Sequence, residues 1–227
     1  MKSSSVHFFP LAFPFLLALF ILAMLVIALI EIGLLEYAYQ KVGVDRRYVF
    51  AVLLLSLLGS YVNIPVATLP AKEVLSNQEV AVYGIRYVIP QVEAWPRTLI
   101  AVNLGGAVVP TLLSLYLLLK NRLYGPGLAG VAIVALVVYA MARPVGGVGI
   151  AVPIFIPPLI AALAGWVLSR QHAPALAYIA GSLGTLIGGD LMNLGRVQGL
   201  GAPIVSIGGA GTFDGIFLAG ILAVLLA

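Results

Sequence analysis

Charge is missing from long stretches of this chain. Residues 3–30, 48–71, 98–119, 123–142, 144–169 and 171–189 contain no Asp, Glu, Lys or Arg, and 201–227 contains only Asp214. An α-helix needs roughly 20 apolar residues to cross the hydrocarbon core of a bilayer. Six uncharged gaps of that order, and a seventh broken by one acid, predict an all-α polytopic membrane protein with about seven transmembrane helices. The 227 residues read as one integral membrane domain.

Composition agrees. Hydrophobic residues make up 62% of the chain and charged residues 9%, and mean hydropathy is +1.14. An ordinary soluble domain carries about 25% charged residues, so lipid is the expected solvent for much of this surface. The net charge of +4 comes from basic residues near span ends. It reads as a topological signal rather than a nucleic-acid site. The chain has no cysteine, which excludes disulfides, thiolate chemistry and Cys-ligated metals. His7 and His172 are the only histidines, too few for a His-based metal site. No cofactor or metal is expected, and the expected partners are membrane lipid and a peptide or membrane-protein substrate.

The spans fall at about 8–39, 48–68, 98–119, 128–142, 144–168, 174–194 and from 201 onward. The apolar run 8–30 is too long for a signal peptide and reads as a retained first helix. Glycine and proline break several spans. Pro65 predicts a kink near the exit of the second, and Tyr124-Gly125-Pro126-Gly127 reads as a turn before the fourth. Residues 70–97 are the longest polar stretch. Their strand formers on either side of Gly84 predict a small hairpin outside the membrane, ended by Pro90 and Pro96. Lys41, Arg46, Arg47, Lys120, Arg122 and Arg170 fall on one side of this topology, and Arg143, Arg196 and 70–97 on the other. The positive-inside rule then puts the chain in the cell membrane with its N-terminus external and its C-terminus cytoplasmic.

Two acids carry the chemical argument. An ionisable group inside a span is costly and marks a functional site by default. Asp190 closes Gly188-Gly189-Asp190, and Asp214 follows Gly208-Gly209-Ala210-Gly211-Thr212-Phe213. Residues 203–211 read as extended, with a helix starting at Gly211–Phe213 and Asp214 in its first turn. Two accounts compete. In one, Asp214 caps a helix and Asp190 pairs with Arg143 or Arg196. In the other, the acids of consecutive spans face each other and share a proton. One carboxylate then activates water while the other protonates the carbonyl.

Residues 173–181 and 211–215 resemble a prokaryotic membrane-protein family catalogued as a domain of unknown function, and the likeness runs over nearly the whole chain. A second, local likeness lies at 209–217. Gly209-Ala210-Gly211-Thr212-Phe213-Asp214-Gly215-Ile216-Phe217 resembles the Gly-x-Gly-Asp motif of intramembrane aspartyl proteases of the presenilin and signal-peptide-peptidase type. That resemblance implies Asp190 as the first aspartate and Asp214 as the second. Thr212 and Phe213 intervene before Asp214, and Pro174-Ala175-Leu176 precedes the first acid rather than following the second.

Two functions follow. The first is an intramembrane aspartyl protease-like hydrolase with Asp190 and Asp214 as its dyad. Gly208, Gly209 and Gly211 would let substrate approach the backbone. The second is a small ion- or proton-coupled transporter that uses the same acids in a polar path. Asn63, Asn103, Arg143, Asn193 and Arg196 are the remaining candidate substrate-binding residues in or beside the spans.

Overall fold

The computed structural model describes residues 13–70, 72–82, 85–95, 98–145, 149–197, 204–209 and 215–227. Seven α-helices are found among them, as the charge gaps predict. They are α1 (Phe13–Val42), α2 (Arg46–Gly59), α3 (Val109–Asn121), α4 (Tyr124–Met141), α5 (Ile156–Leu168), α6 (Ala173–Thr185) and α7 (Gly215–Leu226). Four helical stretches are long and apolar enough to cross a membrane: Phe20–Val42, Leu104–Asn121, Tyr124–Met141 and Arg170–Arg196. The shorter helices α5 and α7 are also apolar. Length and composition are therefore compatible with a membrane protein. Exposed Phe20, Leu25, Leu29 and Ile30 on α1, with Leu128 and Leu136 on α4, form apolar surface that a soluble monomer rarely presents.

The bundle is built around α6. Its Ala175, Leu176, Ala177, Tyr178, Ile179, Ala180, Gly181 and Ser182 are all buried. Small residues on every face let neighbouring backbones come close, which is how helices associate where lipid supplies no hydrophobic drive. At Gly184 an added Cβ would lie 2.5 Å from Val134 Cβ on α4, and at Gly188 it would strike the carbonyl of Ala135. Among its described side chains, helix α1 joins this core near its end, through Ala38, Tyr39 and Val42. The chain then turns at Gly43 (φ +101°), and Asp45 caps α2 by accepting from the Arg47 amide at 3.2 Å.

Strands interrupt the second and third of the expected spans, and short strands lie at the start of the fifth and seventh. Helix α2 stops at Gly59, and β1 (Asn63–Leu69) follows. The second span was expected to be helical to residue 68 with a kink at Pro65, but residues 63–69 are extended instead. Pro65 disfavours the helical region at Ile64, and the β-branched neighbours pair with β4 (Thr98–Asn103), so the third span also opens as a strand. The register shifts between Pro65 and Ala67, a bulge that accommodates the missing proline N–H. Strand β7 (Ile204–Ile207) lies parallel to β4, with Leu99 opposite Ile204 and Val102 opposite Ile207. The sheet order is β1-β4-β7.

The predicted hairpin is present as β2 (Lys72–Val82) and β3 (Ile85–Trp95). Pro90 does not end it: it sits inside β3 opposite Asn77. Each strand of a two-stranded ribbon has an open edge, where a residue without an N–H is tolerated. Pro96 lies outside the described residues. Tyr124-Gly125-Pro126-Gly127 is also not a separate turn but the first turn of α4, where backbone amides have no intrahelical partner. A short pair, β5 (Arg143–Val145) and β6 (Gly149–Ala151), precedes α5, whose first turn holds Pro157 and Pro158.

Candidate functional site

The two parallel strands have the same sequel. Strand β4 runs into a π turn, Leu104–Val108, and then α3. Strand β7 runs into Gly208 and Gly209 and, beyond the undescribed 210–214, into α7. The two glycine turns touch, because a Cβ on Gly208 would lie 2.6 Å from both the amide nitrogen and the Cβ of Ala107. Gly208 (φ +87°) and Gly209 (φ +84°) both adopt a backbone conformation that side chains resist.

Polar side chains fill this junction. Asn103 is buried at the end of β4. Its Nδ2 donates to the Ser60 carbonyl at 2.7 Å and to Asn63 Oδ1 at 3.1 Å, and its Oδ1 accepts from the Gly106 amide at 2.8 Å. Asn63 stands opposite Asn103 in register. The Ser206 hydroxyl on β7 reaches Asn63 Oδ1 at 2.6 Å and the Gly209 carbonyl at 2.5 Å. Having one proton, it donates to one of them at a time. All three strands and both glycine turns thus meet in one network.

Asp190 joins it from α6. Its Oδ2 accepts from the Gly208 amide at 2.7 Å. Helix α6 does not end regularly at this point. Leu186–Asp190 form a π turn and Leu191–Arg196 a 3-10 helix. Such widened turns occur frequently at functional sites. The widening leaves carbonyls to satisfy, and Asn193, fully buried, donates through Nδ2 to Gly188 O at 2.8 Å and Gly189 O at 2.9 Å. Asn193 Oδ1 in turn accepts from Arg196 at 3.2 Å. Arg196 also donates to the Tyr139 hydroxyl at 2.9 Å and stacks 4.8 Å from that ring.

The sequence candidates therefore divide. Asn63, Asn103, Gly208, Gly209 and Asp190 converge on the strand–helix junction. Asn193 and Arg196 buttress the π turn that carries Asp190. Arg143 is exposed at the start of β5, opposite Ala151. Gly211 and Asp214 lie outside the described residues, as does the expected helix start at Gly211–Phe213. The extended backbone expected within 203–211 is seen over Ile204–Ile207. Sequence reading missed Ser206, the Ser60 carbonyl and Tyr139. Only Tyr139 carried a signal, as an aromatic one helical turn before Arg143.

Asn103 is the residue on which the junction depends most. Asn103→Ala leaves the buried Gly106 amide and the Ser60 carbonyl without this partner, each costing about 1–3 kcal/mol. The expected result is a clear fall in the thermal midpoint in detergent. An unchanged midpoint would contradict this account of the network.

Residues 57–226 match the family described as Protein of unknown function (DUF1614), and the chain belongs to that family. No curated protein and no solved structure matches it.

Proposed function

We propose that this member of a family of unknown function is a membrane-embedded aspartyl hydrolase acting on a peptide or membrane-protein substrate, with Asp190 and Asp214 as its acid–base pair. One observation carries the reading. The 2.7 Å bond from the Gly208 amide to Asp190 ties the first acid to the glycine segment that leads to the second, six residues on. The local likeness of 209–217 to intramembrane aspartyl proteases points the same way.

The chemistry needs only these side chains and water. One carboxylate takes a proton from water as its oxygen adds to the scissile carbonyl carbon. The other, protonated, gives its proton to the carbonyl oxygen. Collapse of the tetrahedral species breaks the C–N bond, and the amine leaves with a proton from the dyad. Strand β7 supports a peptide substrate. It is an edge of the three-stranded sheet, and an extended segment can pair along such an edge.

A membrane setting gives the bundle two unlike ends. At the end away from the sheet, Lys41 donates to Val224 O at 3.1 Å and Lys120 to Gly43 O at 2.7 Å. There Lys41, Lys120 and Arg170 each stand over an aromatic ring, those of Tyr37, Tyr116 and Trp166. Aromatic belts mark both interfaces, and an excess of Lys and Arg marks the cytoplasmic one. The sheet, Asp190 and the β2–β3 hairpin then face outward, with the N-terminus external and the C-terminus cytoplasmic.

The test is reconstitution of the purified protein in liposomes with a panel of single-span peptides, read by mass spectrometry. Cleavage by the wild type and its loss in Asp214→Asn are expected. A second reading, an ion- or proton-coupled transporter, draws on the broken α6, since discontinuous helices are a feature of transport sites. Proton or solute flux without cleavage, abolished by Asp190→Asn, would move the assignment there.

A further inference from the structure

Helices α2 and α3 touch backbone to backbone at one end and enclose a groove further along. Where α2 ends, Gly59 lies against Gly105 of the π turn that leads into α3, and an added Cβ on Gly59 would come within 2.9 Å of the Gly105 nitrogen. From there the two helices run antiparallel to the basic end of the bundle, where Lys120 of α3 reaches the Gly43 carbonyl just before α2. Between these ends lies an apolar groove of about 420 Å³. Asp45, Tyr48, Ala51 and Leu55 line it from the α2 side, at the spacing of one helix face. Val109, Leu112 and Tyr116 line it from α3, again as one face. Ala51 is small and sits between two large side chains, which deepens the groove at its middle.

The dimensions suit one lipid chain. Asp45 to Leu55 covers about 15 Å along the helix, half of the roughly 30 Å hydrocarbon core and so the depth of one leaflet. The volume falls in the range of ligand pockets, roughly 300–1,000 Å³. Leu55 and Leu112 are exposed, so the deep part of the groove opens sideways onto apolar surroundings. Its other end is polar. Tyr48 and Tyr116 stand there, as aromatic side chains do at a membrane interface. Lys120 lies 5.3 Å from the centre of the Tyr116 ring and gives one of its three N–H donors to Gly43. Arg47 Nε lies 3.4 Å from Oδ2 of Asp45, the acid among the lining residues, and a guanidinium has four further N–H donors. Arg46, Arg47, Lys120 and Arg122 outnumber Glu36 and Asp45 at this end, so the mouth of the groove is net positive.

We propose that this groove binds an anionic phospholipid from the leaflet at the basic end: one acyl chain lies between α2 and α3, and the phosphate rests between Arg47 and Lys120. Basic pockets between membrane helices on the cytoplasmic side bind acidic headgroups in this way. Arginine offers a fork that matches phosphate oxygens, and lysine a compact charge. The site rests on the membrane setting and orientation proposed above. It does not depend on the Asp190–Asp214 pair, and it stands whichever reaction those acids serve.

Native mass spectrometry of the whole, delipidated protein tests the site without an activity assay. The protein is titrated in detergent with phosphatidylglycerol or with phosphatidylcholine carrying the same chains. The wild type is expected to retain one phosphatidylglycerol in preference to phosphatidylcholine, by about fivefold for each of the two charges, the gain from a basic residue near an anionic surface. Arg47→Gln/Lys120→Gln is expected to abolish that preference. Arg143→Gln/Arg170→Gln removes as much charge away from the groove and is expected to keep it. Ala51→Phe fills the groove from an exposed position, where the fold tolerates it, and is expected to lower retention of both lipids severalfold. Equal retention of the two lipids by the wild type would overturn the proposal, since the groove would then be ordinary lipid contact. A preference undiminished in Arg47→Gln/Lys120→Gln, or retention unmoved by Ala51→Phe, would overturn it as well. So would a dimer whose formation displaces the lipid, since a second copy would then be the occupant.

Discussion

Replacing Asp190 with asparagine is expected to reduce hydrolysis by at least about 100-fold, the lower end of what a positioned acid–base group contributes, while leaving the protein folded. The reason lies in what the substitution keeps. An asparagine Oδ1 can still accept from the Gly208 amide, the bond that Asp190 Oδ2 makes at 2.7 Å. The turn is retained, and the exchangeable proton and charge are not. Asp190→Ala removes the acceptor as well, and is expected to add an instability of about 1–3 kcal/mol. Peptide cleavage by the reconstituted variants, paired with thermal midpoints, separates the two effects. Wild-type turnover in folded Asp190→Asn would make the acid structural, a partner for the turn and nothing more.

Gly208→Ala is expected to be the most damaging single change in the junction. Two costs coincide there. The residue has φ +87°, and its added Cβ would lie 2.6 Å from the Ala107 backbone nitrogen. The backbone strain is worth roughly 1–2 kcal/mol, and overpacking against fixed backbone typically another 1–3 kcal/mol. Relief requires the two glycine turns to separate, which also moves the amide that holds Asp190. Stability and activity should therefore fall together. Gly215→Ala serves as the control: it lies at the start of α7, where an added Cβ meets nothing within 4 Å. Thermal melts and cleavage rates of the two variants check the contrast. A Gly208→Ala variant as stable and active as Gly215→Ala would mean that the turns do not pack as described.

The helices were legible because charge avoidance is cheap to read: each long uncharged gap contains one α-helix. The strands at 63–69 and 98–103 were not. Asn63-Ile64-Pro65-Val66 offers an apolar run that a helix or a buried strand satisfies equally. What decides between them is pairing between Asn63 and Asn103, forty residues apart in sequence, and no local pattern records it. Strand β7 was legible, since Ile204-Val205-Ser206-Ile207 is β-branched and bounded by glycines. Its parallel alignment with β4 was not, because register depends on the partner. At the site, Asp190 announced itself as an acid at the end of an apolar span. The π turn that sets its direction arises from packing. Gly184 and Gly188 bring α6 against α4, and Asn193 closes the carbonyls that the wider turn leaves open.

The central claim is that Asp190 and Asp214 face each other. The chain contains no cysteine, so its native form gives no background for thiol chemistry. Asp190→Cys/Asp214→Cys, treated in membranes with dibromobimane, reads the pair directly, because the reagent fluoresces only when it bridges two nearby thiols. Leu99→Cys/Ile204→Cys, opposite each other in the parallel strands, sets the signal for a true neighbour pair. The account predicts bridging at 190 and 214 comparable to that control. Reaction of each thiol singly, with no bridge between them while the control pair bridges, would contradict it.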